Sequence, residues 1–197
     1  MTASGVRSQT ADRVLRTFLR LVAERGIEAT TTRALAEAAD VNEVTIFRLF
    51  GDKANLAVEA FGRFSAAEAF DTCPLAIDAS SSDRACESLV QLLSHLRARM
   101  LERPEVVEFG IAEYWRFPQL KEQIAATPRA ARALVERALD AAAPVLRPGI
   151  DRRLASLNLV GLLFVSVAWP ARGWIDLSQE DWRVAATQAV RGLLRRR

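Results

Sequence analysis

The stretch TTTRALAEAADVNEVTIFRLFGDK, Thr30 to Lys53, decides the fold of the amino-terminal part of this chain. It predicts two short helices joined by a corner at residues 39–42. Thr31 or Thr32 can cap the first helix, because a side-chain oxygen there accepts a backbone N–H group that a helix start leaves unpaired. Asp40 is expected in the left-handed region just past the helix end, which Gly usually occupies and Asp enters at modest cost.

The second helix of the pair presents two different faces. Asn42 can cap it, and Ile46, Leu49 and Phe50 form an apolar strip for its own domain to cover. Pointing away from that strip are Glu43, Thr45, Phe47 and Arg48. A recognition helix needs this division, because its domain holds one face while the other face meets base edges and phosphates.

The residues around this pair of helices also follow a specific order. They are Gly26, Thr30-Thr31-Thr32-Arg33, Leu35-Ala36, Ala39-Asp40-Val41-Asn42, Thr45-Ile46-Phe47, Phe50 and Lys53. In this order they resemble the amino-terminal signature of the TetR family of bacterial transcriptional regulators, over roughly residues 9 to 60. Three residues depart from the family pattern. Asp40 replaces Gly, Val44 replaces Gly, Pro or a small residue, and Phe47 replaces Tyr and so lacks a hydroxyl for a phosphate.

The resemblance implies a set of residues at DNA. Arg33 and Arg48 would reach base edges, and Lys53 would meet a phosphate. Thr45 and Phe47 would lie against the backbone of the DNA. The full set expected at DNA is Thr31, Arg33, Glu43, Val44, Thr45, Phe47, Arg48 and Lys53. From the residues alone, the two arginines are equally consistent with solvated surface charges.

The resemblance also implies the architecture. In the family, a three-helix DNA-binding domain is followed by a helix that leads into a larger helical domain, which dimerises and often binds a small molecule. We therefore expect an all-α chain of about nine helices. The expected domains are a helix-turn-helix domain at residues 1–52 and a regulatory and dimerisation domain at 53–197, with 53–71 as the connecting helix. The composition agrees, because 50% of residues are hydrophobic and Gly and Pro are sparse.

Composition argues against other classes of protein. One histidine and two cysteines, Cys73 and Cys86, do not provide a metal site or a nucleophile with its base, so neither an enzyme nor a cofactor is expected. The start of the chain lacks the apolar segment of a signal peptide, and residues 157–169 are shorter than the roughly 20 apolar residues that span a bilayer. We expect a cytoplasmic protein without a membrane partner.

The second half predicts helices and a candidate effector pocket. A helix is expected to start at Pro128, and an aromatic cluster surrounds Glu113. The cluster is consistent with a pocket for an apolar or amphipathic effector, and equally with core packing. The residues predicted to line that pocket are Leu93, Leu96, Met100, Phe109, Glu113, Trp115, Phe117 and Phe164.

The last two helices predict a homodimer. The helix expected at residues 150–169 is apolar on nearly every side from Leu157 onward, and the helix expected at residues 179–195 carries a wide apolar face. Two such helices are suited to a four-helix interface, which the resemblance also implies. The predicted interface residues are Leu157, Phe164, Trp182, Ala186, Ala189, Val190 and Leu193.

Three hypotheses for the function follow. The first is a repressor that binds a near-palindromic double-stranded operator and is released by a small-molecule effector. The second is an effector-independent DNA-binding regulator whose carboxy-terminal domain only dimerises. The third is a helical small-molecule carrier or enzyme that keeps a helix-turn-helix fold without using it.

Overall fold

The structure, a computed structural model, describes residues 3–104, 106–107 and 118–195, with side chains from Ser8 onward except at 68 and 69. The described residues form helices joined by loops, together with an isolated β-bridge between Leu146 and Leu194. The all-α prediction is confirmed. The α-helices are α1 (Ala3–Ala29), α2 (Thr32–Ala38), α3 (Glu43–Phe50), α4 (Lys53–Arg63), α5 (Ala67–Asp71), α6 (Ser82–Leu101), α7 (Lys121–Ala141), α8 (Arg152–Ala171) and α9 (Gln179–Arg191). Short 3-10 helices lie at Pro118–Leu120 and Ala143–Val145.

The chain divides into two compact units, and the first contains α1 to α4. Helix α1 packs against α2 and α4, and α3 packs against α2 and α4. Their buried side chains include Leu15, Phe18, Leu35, Ile46 and Phe61. Helix α1 begins at Ala3, and Gly26 interrupts it with a φ of 80°. Gly26 therefore marks a break within α1.

The corner between α2 and α3 is a Schellman motif. Asp40 lies in the left-handed region with a φ of 51°, as predicted. The Val41 N–H donates to the Ala36 carbonyl at 3.0 Å, and the Asp40 N–H donates to the Glu37 carbonyl at 3.3 Å. These two bonds satisfy carbonyl groups that the end of α2 would otherwise leave unpaired. The corner thus fixes the direction in which α3 leaves α2.

The units do not follow the predicted domain boundary. The first unit extends to Ser65 and takes in a second segment that ends at Ile124. Helix α4 therefore belongs to the first unit, because Leu56, Ala57, Ala60 and Phe61 bury its inner face. It ends at Arg63, whereas the connecting helix was predicted to continue to residue 71. The short helix α5 follows after a break.

The second unit is built around α6, α8 and α9, which pack against one another, together with most of α7. Its buried residues include Leu89, Leu134, Leu159, Leu163 and Trp182. Helix α7 begins at Lys121, so the predicted start at Pro128 is wrong and this proline lies inside the helix. The reason is that the preceding residues, KEQIAAT, include several good helix formers that continue the helix in the amino-terminal direction.

The last two helices have defined starts. The Asp151 carboxylate accepts the Leu154 N–H at 3.1 Å at the start of α8. Ser178 and Asp181 form a reciprocal capping box at the start of α9. By length and composition alone α8 could cross a membrane, with a mean hydropathy of 1.8, but 44% of that window is buried inside the protein. Its buried face belongs to the core of the second unit.

Candidate nucleic-acid interface

The start of α3 is held by its own caps. The Asn42 side-chain oxygen accepts the Val44 N–H at 2.8 Å, and the helix ends at Gly51, whose N–H donates to the Phe47 carbonyl. Ile46 and Phe50 are buried beneath the helix. Helix α3 therefore has a fixed start and a fixed inner face, which a helix that reads DNA must have.

The outer face of α3 combines apolar and basic side chains. Val44 is 70% exposed and Phe47 is 47% exposed, the two largest such exposures among the large hydrophobic residues described in the first unit. Arg48 is also exposed, whereas Thr45 is half-buried. Residues 44, 47 and 48 share one face, because positions three and four apart are neighbours on a helix. The structure thus brings together three of the residues predicted to contact DNA.

Glu43 has a different environment from its neighbours on α3. Its carboxylate accepts a hydrogen bond from the Thr32 hydroxyl at 2.5 Å, across the corner from the first residue of α2. A bond to an ionised acceptor is stronger than one between neutral groups. Glu43 therefore ties the starts of the two helices together, a role that sequence reasoning did not give it.

On α2, Thr31 caps the helix by accepting the Ala34 N–H at 3.1 Å, as the sequence suggested. Arg33 follows on the surface and is exposed. Arg13 of α1 reaches the corner as well, since its guanidinium donates to the Asp40 carbonyl at 3.4 Å. The cations at this end of the unit therefore come from more than one helix.

Lys53, the predicted phosphate contact, is half-buried at the start of α4. Its ammonium donates to the Glu28 carbonyl at 3.2 Å. Burial lowers the pKa of Lys53, and the nearby Glu28 carboxylate opposes that shift. An ammonium group has three N–H donors, so the bond to Glu28 leaves capacity for a phosphate oxygen.

Four of the residues predicted to line an effector pocket lie in or against the core of the second unit. Leu93, Leu96 and Met100 are packed in the core of the second unit, and Phe164 is partly buried against it. Phe109, Glu113, Trp115 and Phe117 lie outside the described residues.

A buried arginine in this core was missed by the sequence analysis. Arg97 is only 6% exposed, and its guanidinium donates to the Ser166 hydroxyl at 3.2 Å, the Ser166 carbonyl at 3.3 Å and the Gln179 amide oxygen at 3.2 Å. It also lies over the Trp182 ring at 5.3 Å. None of these partners is a carboxylate. The signal was present in the sequence, because Arg97 lies four residues after Leu93 and so falls on the buried face of α6.

The predicted dimer interface is wrong for part of α9. Trp182, Ala186 and Val190 are completely buried in the core of their own chain, so no surface of theirs is available to a second chain. The Trp182 indole N–H donates to Ser94 of α6 at 2.9 Å, which explains why this face turns inward. Leu157 is 57% exposed. The remaining predicted interface residues, Phe164, Ala189 and Leu193, are half-buried.

Two capped helices joined by a fixed corner, the second with an open outer face, define a helix-turn-helix DNA-binding domain. Residues 14–60 match the family described as "Bacterial regulatory proteins, tetR family". Residues 14–60 are thus similar to the amino-terminal helix-turn-helix domain of this family, and the chain has the fold of solved TetR-family transcriptional regulators. No curated protein matches the chain.

Solved structures are similar over nearly the whole chain. NalD of Pseudomonas aeruginosa, the secondary repressor of the MexAB-OprM multidrug efflux pump, has a TM-score of 0.73 and 21% identity, covering 95% of this chain and 97% of NalD. GusR of Salmonella enterica has a TM-score of 0.69 and 19% identity, covering 94% and 95%. A Rhodococcus sp. protein assigned to the TetR family has a TM-score of 0.67 and 20% identity, covering 95% and 100%. At these identities the likeness concerns the fold.

Proposed function

We propose that this protein is a cytoplasmic, homodimeric repressor of transcription that binds a near-palindromic operator and leaves it when a small apolar or amphipathic effector binds. The observation that carries the proposal is the two-faced α3. Ile46 and Phe50 hold it from within, while Val44, Phe47 and Arg48 stay open to solvent. A helix of this kind is suited to the major groove. NalD, which is similar in fold, is a repressor, and this supports repression.

Arg48 and Arg33 are proposed to read base edges. Both are exposed, and an arginine can donate two hydrogen bonds to O6 and N7 of guanine in the major groove. Lys53 and the cap residue Thr31 are proposed to lie at phosphates, and Thr45 and Phe47 against the DNA backbone. Neutralised phosphates release counterions, so binding should weaken as salt increases.

The proposed dimer uses the open side of α8. Leu154 and Leu157 are exposed, and Gly161 one turn later has open space where a Cβ would lie. A small residue on an apolar stripe lets a second helix approach closely. We propose that this stripe, with Phe164, Ala189 and Leu193 beside it, packs against its symmetry mate. Two recognition helices would then lie about 34 to 36 Å apart on DNA.

The DNA-binding test compares two arginine variants on the DNA that flanks the protein's own gene, across a salt series. Arg48→Ala should weaken sequence-specific binding by about 1 to 3 kcal/mol and relax the sequence preference. Arg84→Ala removes the same charge from an exposed residue of α6 in the second unit and serves as the matched control. Equal losses in both variants would contradict direct base reading by Arg48.

The dimer test uses Leu157→Glu, which puts a charge on the proposed interface. It should convert the dimer to a monomer in sedimentation equilibrium and weaken operator binding. Leu101→Glu changes another exposed leucine, on α6, and should leave the dimer intact. A dimer that persists in Leu157→Glu would place the interface elsewhere.

The main alternative is a regulator whose second unit only dimerises. The tight packing of Leu93, Leu96 and Met100 favours it, because an effector at these residues would have to displace the core around them. Screening a library of apolar and amphipathic compounds distinguishes release by an effector from a second unit that only dimerises. A compound that both lowers operator affinity and raises the melting temperature supports release by an effector. Failure of every compound to change operator affinity favours the alternative.

A further inference from the structure

The amino-terminal turn of α3 exposes an apolar side chain, Val44, whereas its acidic side chain, Glu43, is hydrogen-bonded within the domain. A recognition helix contacts base edges mainly through its amino-terminal residues, here Glu43, Val44 and Thr45. Glu43 is engaged by the Thr32 hydroxyl, and Thr45 is half-buried. Val44 alone of the three is widely exposed, at 70%. The residue best placed to meet a base edge therefore has no hydrogen-bonding side chain.

Val44 is also unusual in its surroundings. It is more exposed than any other large hydrophobic residue described in the chain, and its helical neighbours Phe47 and Arg48 are exposed as well. An isolated exposed valine needs no explanation, but an apolar pair beside an arginine on the outer face of this helix forms a continuous surface. In the major groove only one base presents an apolar group, the 5-methyl group of thymine.

We propose that Val44 reads the 5-methyl group of a thymine in each operator half-site, with Phe47 closing the apolar contact on the side toward the DNA backbone. This inference rests on the proposed DNA binding and adds the base that α3 selects.

The experiment starts from the operator itself. Binding sites are selected from random duplex DNA with the wild-type protein, and each thymine of the half-site is then replaced, one at a time, by deoxyuridine. This replacement removes only the methyl group and leaves every hydrogen-bonding group of the base in place. Dissociation constants are measured for wild type, Val44→Ala and Val184→Ala, an exposed valine of α9 that serves as the matched control.

One thymine per half-site is expected to be sensitive. Burying a methyl group changes affinity about fourfold, so deoxyuridine in both half-sites should weaken wild-type binding roughly fifteenfold. Val44→Ala should bind the thymine and deoxyuridine operators about equally, whereas Val184→Ala should behave as wild type. Because Val44 is exposed, its truncation leaves the core intact, and an unchanged melting temperature verifies this.

Two results would overturn the inference while leaving the proposed function in place. The first is a selected operator in which no thymine can be distinguished from deoxyuridine. The second is a deoxyuridine effect that persists undiminished in Val44→Ala, which would assign the methyl group to another side chain. Failure of the selection to yield any preferred sequence is a separate outcome, because it would overturn both the DNA-reading function and the inference that rests on it.

Discussion

Replacing the buried Arg97 by Met and by Ala should have very different effects on stability. Arg97 is almost completely buried, and its partners are Ser166, Gln179 and the Trp182 ring. Burial lowers the pKa of the Arg97 guanidinium, and no carboxylate described in the structure opposes that shift. A buried charge without an opposite charge costs several kcal/mol, which its three hydrogen bonds to neutral groups offset only in part.

The expected magnitudes follow from what each variant removes. Arg97→Ala loses two methylene groups, worth about 1.6 kcal/mol, and leaves a cavity, so the free energy of unfolding should fall by about 2 to 4 kcal/mol. Arg97→Met fills most of that space and removes the buried charge, so it should lie within about 1 kcal/mol of wild type. Both variants take the Arg97 donor away from the buried Ser166 carbonyl, and Pro170 four residues later has no N–H to replace it, so this cost is common to the two. Ser166 still donates to the Leu163 carbonyl at 2.7 Å, and the exposed Gln179 can bond to water.

The assay is urea unfolding at fixed protein concentration, followed by tryptophan fluorescence, because Trp169, Trp174 and Trp182 lie in the second unit. Arg99→Met and Arg99→Ala are the matched controls on the same helix. Arg99 is partly exposed and pairs with Glu102, so both controls should change stability by no more than about 1 kcal/mol. If Arg97→Met proves as destabilising as Arg97→Ala, the hydrogen bonds of the guanidinium stabilise the core by more than its burial costs, and the reasoning is refuted.

Three further predictions concern local features. Asp40→Gly should raise the free energy of unfolding by up to about 1 kcal/mol, and Asp40→Ala should lower it, because φ is positive at this residue. Thermal unfolding in which the alanine variant is the more stable of the two would contradict this. Hydrogen bonds from Ser178 lower the pKa of Asp181 from its usual 3.8. The ionised carboxylate therefore stabilises the folded state above pH 3.8, and this stabilisation is lost as the pH falls through the lowered pKa of the folded state. Acidification from about pH 5 should therefore destabilise Asp181→Asn less than wild type in urea unfolding, and equal losses would count against the capping box. Glu43→Gln keeps an acceptor for the Thr32 hydroxyl and removes a negative charge from the proposed DNA-binding face. The affinity for non-specific DNA should therefore rise at low salt, and this gain should vanish at high salt. A gain in affinity that does not depend on salt would contradict the prediction.

The features that the sequence predicted correctly depend on residues close together in the chain. The caps at Thr31 and Asn42 and the left-handed Asp40 involve groups no more than a few residues apart, so their chemistry can be recognised without the fold. The buried strip of α3 follows from helical periodicity in the same way. The sequence by itself therefore determined the helix-turn-helix and the all-α class.

Tertiary structure decided which helix faces pack together and which side chains bond to another helix. Helix α9 has an apolar face wide enough for either a core or a partner, and only its packing on α6 places Trp182 and Val190 inside. The bond between Thr32 and Glu43 joins side chains on two helices, and Arg97 meets Ser166 from 69 positions away in the chain. Such contacts are fixed by how helices pack, which periodicity within a single helix does not specify. The physical reason is that a helical pattern defines an apolar face but leaves its partner undetermined.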